Sequence, residues 1–573
     1  MIAVTKALQR PAFEVKSGFG RILLCLPGYG VIFRKVGQEQ SWMDSRLGKQ
    51  VFLAFVLTGC LFDSRSPSGP PEDPYFSQSV EGLEEATVTE TRELHNHDSL
   101  DLTVSPVKKV ILGKEVRMAA FNGSIPGPII RVTQGDTITL NLRNRSGSPI
   151  TLHPHGIRLD SRFDGAPGYT QYPVEDGKDF AYTIVFPDPG VYWYHSHLRE
   201  DVYQQLGLYG NFLVTPRDSG YWNPVDREVP LVISEVKMDS NGLVPIRKDM
   251  ADYVMMGRFG NVFLVNGDTD YTLNIKRNEY VRFYATNACN SRVINLVTNQ
   301  HWMKVVGSDN GKYERSQHMG SEFIAPGERL VYEVMFKDTG TVLLYHEMPD
   351  RYLKLGTVHV SEDSVDTHFG GAYSDTDTNV SVIKDIDGFR ASFDKPKPDK
   401  ELFFTGSMGP HMHMAAMTAA EGVPGPAAKI AATEHGPDGS LGIEWVDTMG
   451  VMNSSSTPAN MSWVIRDLQT GLENHQILWE FKRGDQVLIR IKNDSNAVHA
   501  MPHPIHFHGQ RFLVVRVNGK TNPDLAWKDT YLVPSGATAD LLLDASNPGA
   551  WMAHCHIAEH MEAGMMFHFR VSE

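Results

Sequence analysis

Apolar and polar residues alternate along most of this chain from residue 99 onward, the period-two signature of half-buried β-strands. Three stretches share one form, a turn and then an alternating strand that ends in asparagine: residues 131–144, 275–287 and 482–493. Three more share a second form, a glycine turn followed by apolar residues and a histidine: residues 188–195, 338–346 and 547–554. A form that recurs three times marks related units. The spacing of the strands and their Gly and Pro turns predicts an all-β chain of three Greek-key sandwich domains, over residues 99–217, 228–363 and 399–573.

The remaining segments break the pattern. Residues 364–398 are polar, with a short helix predicted around 380–393, and residues 405–460 interrupt the third domain. Residues 61–98 carry a Ser/Pro/Gly run and then many acids, a composition that predicts a flexible tether. Within residues 1–60, a basic patch at Arg46 and Lys49 precedes the apolar run 51–57 and then Leu57-Thr58-Gly59-Cys60. That order is a secretory signal, and the run is too short to span a bilayer. Its end resembles a bacterial lipobox. The expectation is export to the periplasmic side of the cell envelope, with Cys60 as a lipid anchor and the chain's sole membrane contact. Met43 then suits the start better than Met1. The competing apolar segment 22–33 contains Pro27 and has no cleavage site.

Composition narrows the class. A chain of 573 residues with 41% hydrophobic and 21% charged residues suits a soluble multidomain protein. A net charge of −14 without a dense basic patch argues against nucleic acid as a partner. Of the four cysteines, Cys25 and Cys60 precede the fold, and Cys289 reads as a small buried apolar residue. Only Cys555 has chemical company.

That company is histidine. Ten of the 23 histidines fall in four short windows: His153 and His155; His195 and His197; His503, His506 and His508; and His554, His556 and His560. A lone His-x-His is usually two strand residues, but four together are not chance. Alternation puts both members of each pair on one strand face. Cys555 takes the face opposite to His554 and His556, and His503 has the opposite parity to His506 and His508. One thiolate, two imidazoles (His503 and His560) and one thioether (Met565) are what a blue-copper electron-transfer site needs. The eight paired histidines then form a second site, fed by the first and third domains and lying between them. The middle repeat keeps His346 but follows it with Glu347 and Met348, and has no His-x-His at 296–298. The second domain therefore reads as a spacer that binds no copper.

These four motifs resemble those of the multicopper oxidases, in particular the three-domain bacterial type that includes laccases and cuprous oxidases, over about residues 99–573. The resemblance implies three cupredoxin domains and four copper ions. Type 1 copper falls to His503, Cys555, His560 and Met565. Type 2 copper falls to His153 and His506, and the type 3 pair to His155, His195, His197, His508, His554 and His556. It implies that a donor is oxidised one electron at a time, that electrons pass through Cys555 to His554 and His556, and that O2 is reduced to water. An axial Met565, where relatives can carry Leu or Phe, implies a modest potential. Asp164 resembles the family's catalytic acid after the first motif. Met561 stands where many bacterial relatives carry a proton-relaying Glu, which leaves Glu559 or Glu562 as substitutes. Met408, His411, Met412, His413, Met414 and Met417 offer soft ligands for Cu(I), and resemble the methionine-rich insert that covers the type 1 site of cuprous oxidases. The expected donor is Cu(I) or another metal ion, in a monomer with a role in copper tolerance. A laccase-like oxidase of phenols is the alternative. A non-enzymatic scaffold would have lost ligands that this chain retains.

Overall fold

The computed structural model describes residues 15–16, 22–23, 74–299, 301–366, 369–409 and 442–573. Cys60 and most of the methionine- and histidine-rich insert (His411, Met412, His413, Met414 and Met417) lie outside the described residues. From Pro74 to the C-terminus the chain is one unit built on strands. Its sheets come in three pairs. Each pair encloses a core made by the inward residues of alternating strands, as at Thr137–Asn144, whose Ile138, Leu140 and Leu142 are buried.

In the first sandwich, one sheet runs Thr91–Glu93, Ile129–Thr133, Tyr209–Thr215, Gly190–His195 and His153–His155. Lys114–Phe121, Ser99–Ile111, Thr137–Asn144 and Asp179–Val185 form the other. In the third sandwich, the sheet Leu478–Lys482, Met566–Ser572, Gly549–Cys555, His503–Phe507 and Thr530–Val533 repeats the first arrangement. Register then does the positioning. His195 pairs with His153, His506 with His554, and Ile505 with Cys555. Each His-x-His window therefore sits on a strand beside a second His-x-His strand.

The middle sandwich has a six- and a five-stranded sheet. It is not isolated from its neighbours. Val232, Leu264 and Ala288 share a core with Ile111, Trp193 and Tyr209 of the first sandwich. Val254, Met255, Met256 and Phe259 are inserted into the core of the third, where the Trp463 indole N–H donates to the Val254 carbonyl at 2.7 Å.

The linker helix predicted around 380–393 is present as Val380–Asp387, followed by a 3-10 turn at Arg390–Ser392. The tether expected over 61–98 does not hold from Pro74 on. Thr91–Glu93 pairs in parallel with Ile129–Thr133, and Phe76 and Leu94 pack on the first core. Two well-placed apolar side chains and a strand edge outweigh an acidic composition there. No helix among the described residues is long and apolar enough to cross a membrane.

Candidate metal centre

Cys555 ends the strand Gly549–Cys555, and the chain turns at once into the helix Ala558–Glu562, which carries His560. The Cys555 N–H donates to the Met565 carbonyl at 3.0 Å, so the loop closes with Met565 beside Cys555. His503 arrives from the neighbouring strand. The Cys555 Sγ lies 3.5 Å from His503 Nδ1 and 3.7 Å from His560 Nδ1, and the two nitrogens are 3.3 Å apart. The centre of such a triangle is about 2 Å from each corner, which is a metal–ligand bond length. All four side chains are fully buried, and Trp463 stacks on the His560 ring at 4.3 Å. Burial pushes His503 down to about 3 and His560 well below the ordinary imidazole range. Both rings therefore keep a free lone pair at neutral pH. Burial pushes the Cys555 thiol up; the Ile557 N–H opposes this weakly, and Glu200 and Glu559 add to it.

The eight paired histidines converge between the first and third sandwiches, all buried. The Nε2 atoms of His197, His508 and His554 form a triangle with edges of 3.0, 3.2 and 3.4 Å, whose centre lies about 1.9 Å from each. In the other rings, unpaired nitrogens mark the candidate ligating atoms. His153 Nε2, His155 Nδ1, His195 Nε2, His506 Nε2 and both His556 nitrogens are buried without a hydrogen-bond partner. An orphaned buried nitrogen is costly unless something binds it.

The opposite nitrogens are fixed by acceptors. His153 Nδ1–H donates to the Asp164 carbonyl at 2.6 Å, His506 Nδ1–H to the Asp529 carbonyl at 2.8 Å, and His554 Nδ1–H to the Cys555 carbonyl at 2.9 Å. A carbonyl only accepts, so each of these rings must present Nε2 as its lone pair. Burial pushes His153 down to about 3 and most of the other rings well below the ordinary range. Eight buried imidazoles brought together in this way suit a group of transition-metal ions. The hydrogen bond from His554 to the Cys555 carbonyl also ties this cluster to the thiolate site.

Carboxylates surround both places. Asp164 follows a 3-10 turn at Ser161–Phe163, and its Oδ2 accepts from His508 Nδ1 at 2.9 Å. Burial raises its carboxyl well above the usual range. Asp164 thus lies beside the histidine cluster.

The sequence did not disclose Glu200. It begins the four-residue helix Glu200–Tyr203, and its Oε1 lies 3.5 Å from both His195 Nδ1 and His197 Nε2. Neither of its oxygens has a hydrogen-bond partner, and burial, with Glu562, Asp201 and Glu559 adding to it, raises the carboxyl well above normal. The half-buried Glu562 accepts from the Glu200 backbone N–H at 3.2 Å. Glu559 accepts from Asn290 Nδ2 at 2.8 Å and from Ser291 Oγ at 3.1 Å. Burial raises Glu559 to about 7 and Glu562 to about 8. The signal was available in part, since Glu200 lies three residues after His197, but the three-residue spacing gives no face until the helix is known.

Asp529 was missed as well. Its Oδ1 lies 3.0 Å from His155 Nε2. Burial alone would raise Asp529, but Arg329 and its hydrogen bonds hold it well below the usual carboxylate range. Of the six candidate Cu(I) ligands in the insert, Met408 is the one described. It pairs with Met461 and packs half-buried, with Met449 and Met452, on the core that holds Cys555 and Met565. Cys289 is buried and free, as expected of a small apolar residue.

The comparisons agree with this chemistry. The multicopper oxidase family is matched twice, over residues 103–219 and again over 448–573, the two regions that contain the four His-x-His pairs, His503, Cys555 and His560. Laccase-3 of Oryza sativa subsp. japonica is 24% identical over 84% of this chain and 93% of its own length. Copper resistance protein A of Escherichia coli is 24% identical over 82% and 92%. A multicopper oxidase of Campylobacter jejuni, described as a metallo-oxidase, shares the fold with a TM-score of 0.62, at 21% identity over 87% of this chain and 99% of that one. With four histidine pairs and a buried thiolate on cupredoxin-like sandwiches, and both copper-oxidase regions recognised, the chain belongs to the multicopper oxidase family and is an oxidoreductase.

Proposed function

We propose that this enzyme holds four copper ions and couples oxidation of Cu(I), or of another metal ion, to reduction of O2. His503, Cys555, His560 and axial Met565 would hold the type 1 ion. His153 and His506 would hold type 2, and the remaining six histidines the type 3 pair. When bound, the coppers would accept electrons singly at the type 1 site and deliver four of them to O2, which leaves as water.

The observation that carries the reading is the pair of buried nitrogen and sulfur triangles joined by the His554 to Cys555 hydrogen bond. Cys555 supplies a covalent path to His554 and His556 on either side of it. Asp164 and Asp529 orient their imidazoles. Glu562, Glu559 and Glu200 form a group of carboxyls held above the usual range, from the half-buried Glu562 to Glu200 beside the cluster. That group would do the work expected of the glutamate that Met561 replaces, since proton supply at a cluster calls for acids that titrate near the working pH.

A metal donor is favoured by the thioethers of Met408, Met449, Met452 and Met501 around the type 1 core. Thioethers suit soft Cu(I). Similarity to a copper resistance protein points the same way, and extends the reading to copper tolerance. The similarity to a plant laccase supports the second reading, oxidation of phenols. Export with a lipid anchor at Cys60 completes the proposal and rests on the signal-like sequence at 46–60.

Oxygen uptake by the copper-loaded chain separates the two donors. Cu(I) and a phenol would each be supplied to the whole chain and to a version lacking residues 410–441. Fast Cu(I) turnover that collapses on deletion, with phenol oxidation rising, supports the metallo-oxidase. Unchanged Cu(I) turnover moves the phenol reading ahead. Absence of uptake with either donor in fully loaded protein would sink both.

A further inference from the structure

Arg329 begins a strand of the middle sandwich, yet its guanidinium touches all three. Its Nε–H donates to the Val191 carbonyl of the first at 3.1 Å, and its Nη1–H to the Gly327 carbonyl of the second at 3.0 Å. Nη1 and Nη2 also donate to the two carboxylate oxygens of Asp529 in the third, the former at 2.7 Å. Arg329 and Asp529 are both fully buried. A buried carboxylate gripped by a guanidinium fork is ionised and can only accept hydrogen bonds.

Asp529 Oδ1 stands 3.0 Å from His155 Nε2. An acceptor there requires the ring proton on Nε2, which leaves the lone pair on Nδ1. His155 Nδ1 is indeed the orphaned nitrogen. His153, His195, His506, His508 and His554 are arranged the other way round, with Nδ1 bound to an oxygen. Among these six rings His155 alone is turned over, and Asp529 is the group that turns it. The next residue, Gly156, has φ +82, and a Cβ there would come within 2.6 Å of Arg329 Nη2 and strike the Asp529 carboxylate. The chain leaves room for the pair at that point.

We propose that the Arg329–Asp529 pair is a positioning device that fixes the His155 tautomer, and so makes assembly of the copper cluster depend on the middle domain. The inference rests on the copper reading above. It changes the role of that domain from spacer to clamp, although it supplies no ligand.

The test uses the full chain loaded with copper, as wild type, Asp529→Asn and Arg329→Lys. Three readouts are taken: bound copper per chain, the visible thiolate-to-copper band of the type 1 site, and the near-ultraviolet band of the bridged type 3 pair. Asp529→Asn keeps the shape but offers a donor, so it should retain the visible band and lose the near-ultraviolet one. Affinity for cluster copper should fall roughly 10- to 100-fold. Arg329→Lys keeps the charge without the fork and should fall between. A folded Asp529→Asn with a wild-type near-ultraviolet band and full copper overturns the proposal. If neither variant folds, a crystal structure of the loaded wild type decides it. His155 Nδ1 facing the metal supports the device, and Nε2 facing it refutes it. A wild type with no visible band would instead refute the copper reading itself.

Discussion

The type 1 site should bind Cu(II) with an affinity that rises about tenfold for each pH unit, between about pH 6 and about pH 8. Cys555 is fully buried, its Sγ accepts from the Ile557 N–H at 3.5 Å, and burial together with Glu200 and Glu559 pushes its thiol up. The thiol is therefore protonated throughout that window, and only the thiolate binds copper. One proton must leave for each ion bound. His503, pushed down to about 3, and His560, well below the ordinary range, are already neutral and release none. The sign follows: a proton lost on binding makes binding stronger as pH rises, by about 1.4 kcal/mol per unit and about 2.7 kcal/mol across the window. Competition against a chelator of known pH dependence, read at the visible thiolate-to-copper band, isolates this site from the cluster. A flat profile would mean that the apo thiolate is already formed. A slope near two would mean that one imidazole is held protonated. Either outcome refutes the account of how burial sets the site.

Three further expectations follow from particular residues. Glu200→Gln should leave the visible band intact and slow O2 reduction roughly a hundredfold, and in wild type that step should slow as pH climbs past about 7 to 8, where Glu559 and Glu562 lose their protons; stopped-flow reoxidation measures both. Gly327→Ala places a Cβ 2.7 Å from the His556 ring at a residue with φ +85. The left-handed backbone and the overlap together should cost about 2 to 5 kcal/mol in denaturant unfolding, and an unchanged midpoint would mean that the loop gives way freely. Met565→Leu removes the axial thioether from a fully buried position and should raise the type 1 potential in a redox titration.

What could be read in advance was whatever depends on parity. His-x-His on a strand fixes two side chains to one face, and Cys555 between His554 and His556 fixes a third to the other. That arithmetic survives any tertiary arrangement, so the separation of ligands into two places was legible. Glu200 was not, because its orientation depends on a helix of only four residues that begins after Arg199 takes a left-handed φ of 53. Arg329 and Asp529 meet across 200 residues of sequence, and Asp529 meets His155 across 374. No local pattern encodes such partners. Residues 74–98 misled for a related reason. Composition reports how much apolar surface a segment owns, not that Phe76 and Leu94 find a groove for it.

The division of ligands along the chain has a consequence for the order of events in biosynthesis. Every proposed type 1 ligand lies within residues 503–565, whereas the histidine cluster draws half its rings from 153–197 and half from 506–556. The first site draws its side chains from the last sandwich, on a core that also takes in Val254, Met255, Met256 and Phe259 of the middle one. The second exists only when the two ends of the polypeptide have been brought together with the middle one between them. A molecule whose first sandwich is misfolded or clipped away could therefore be blue and yet unable to reduce oxygen, so that colour would certify the last two sandwiches while turnover certifies all three.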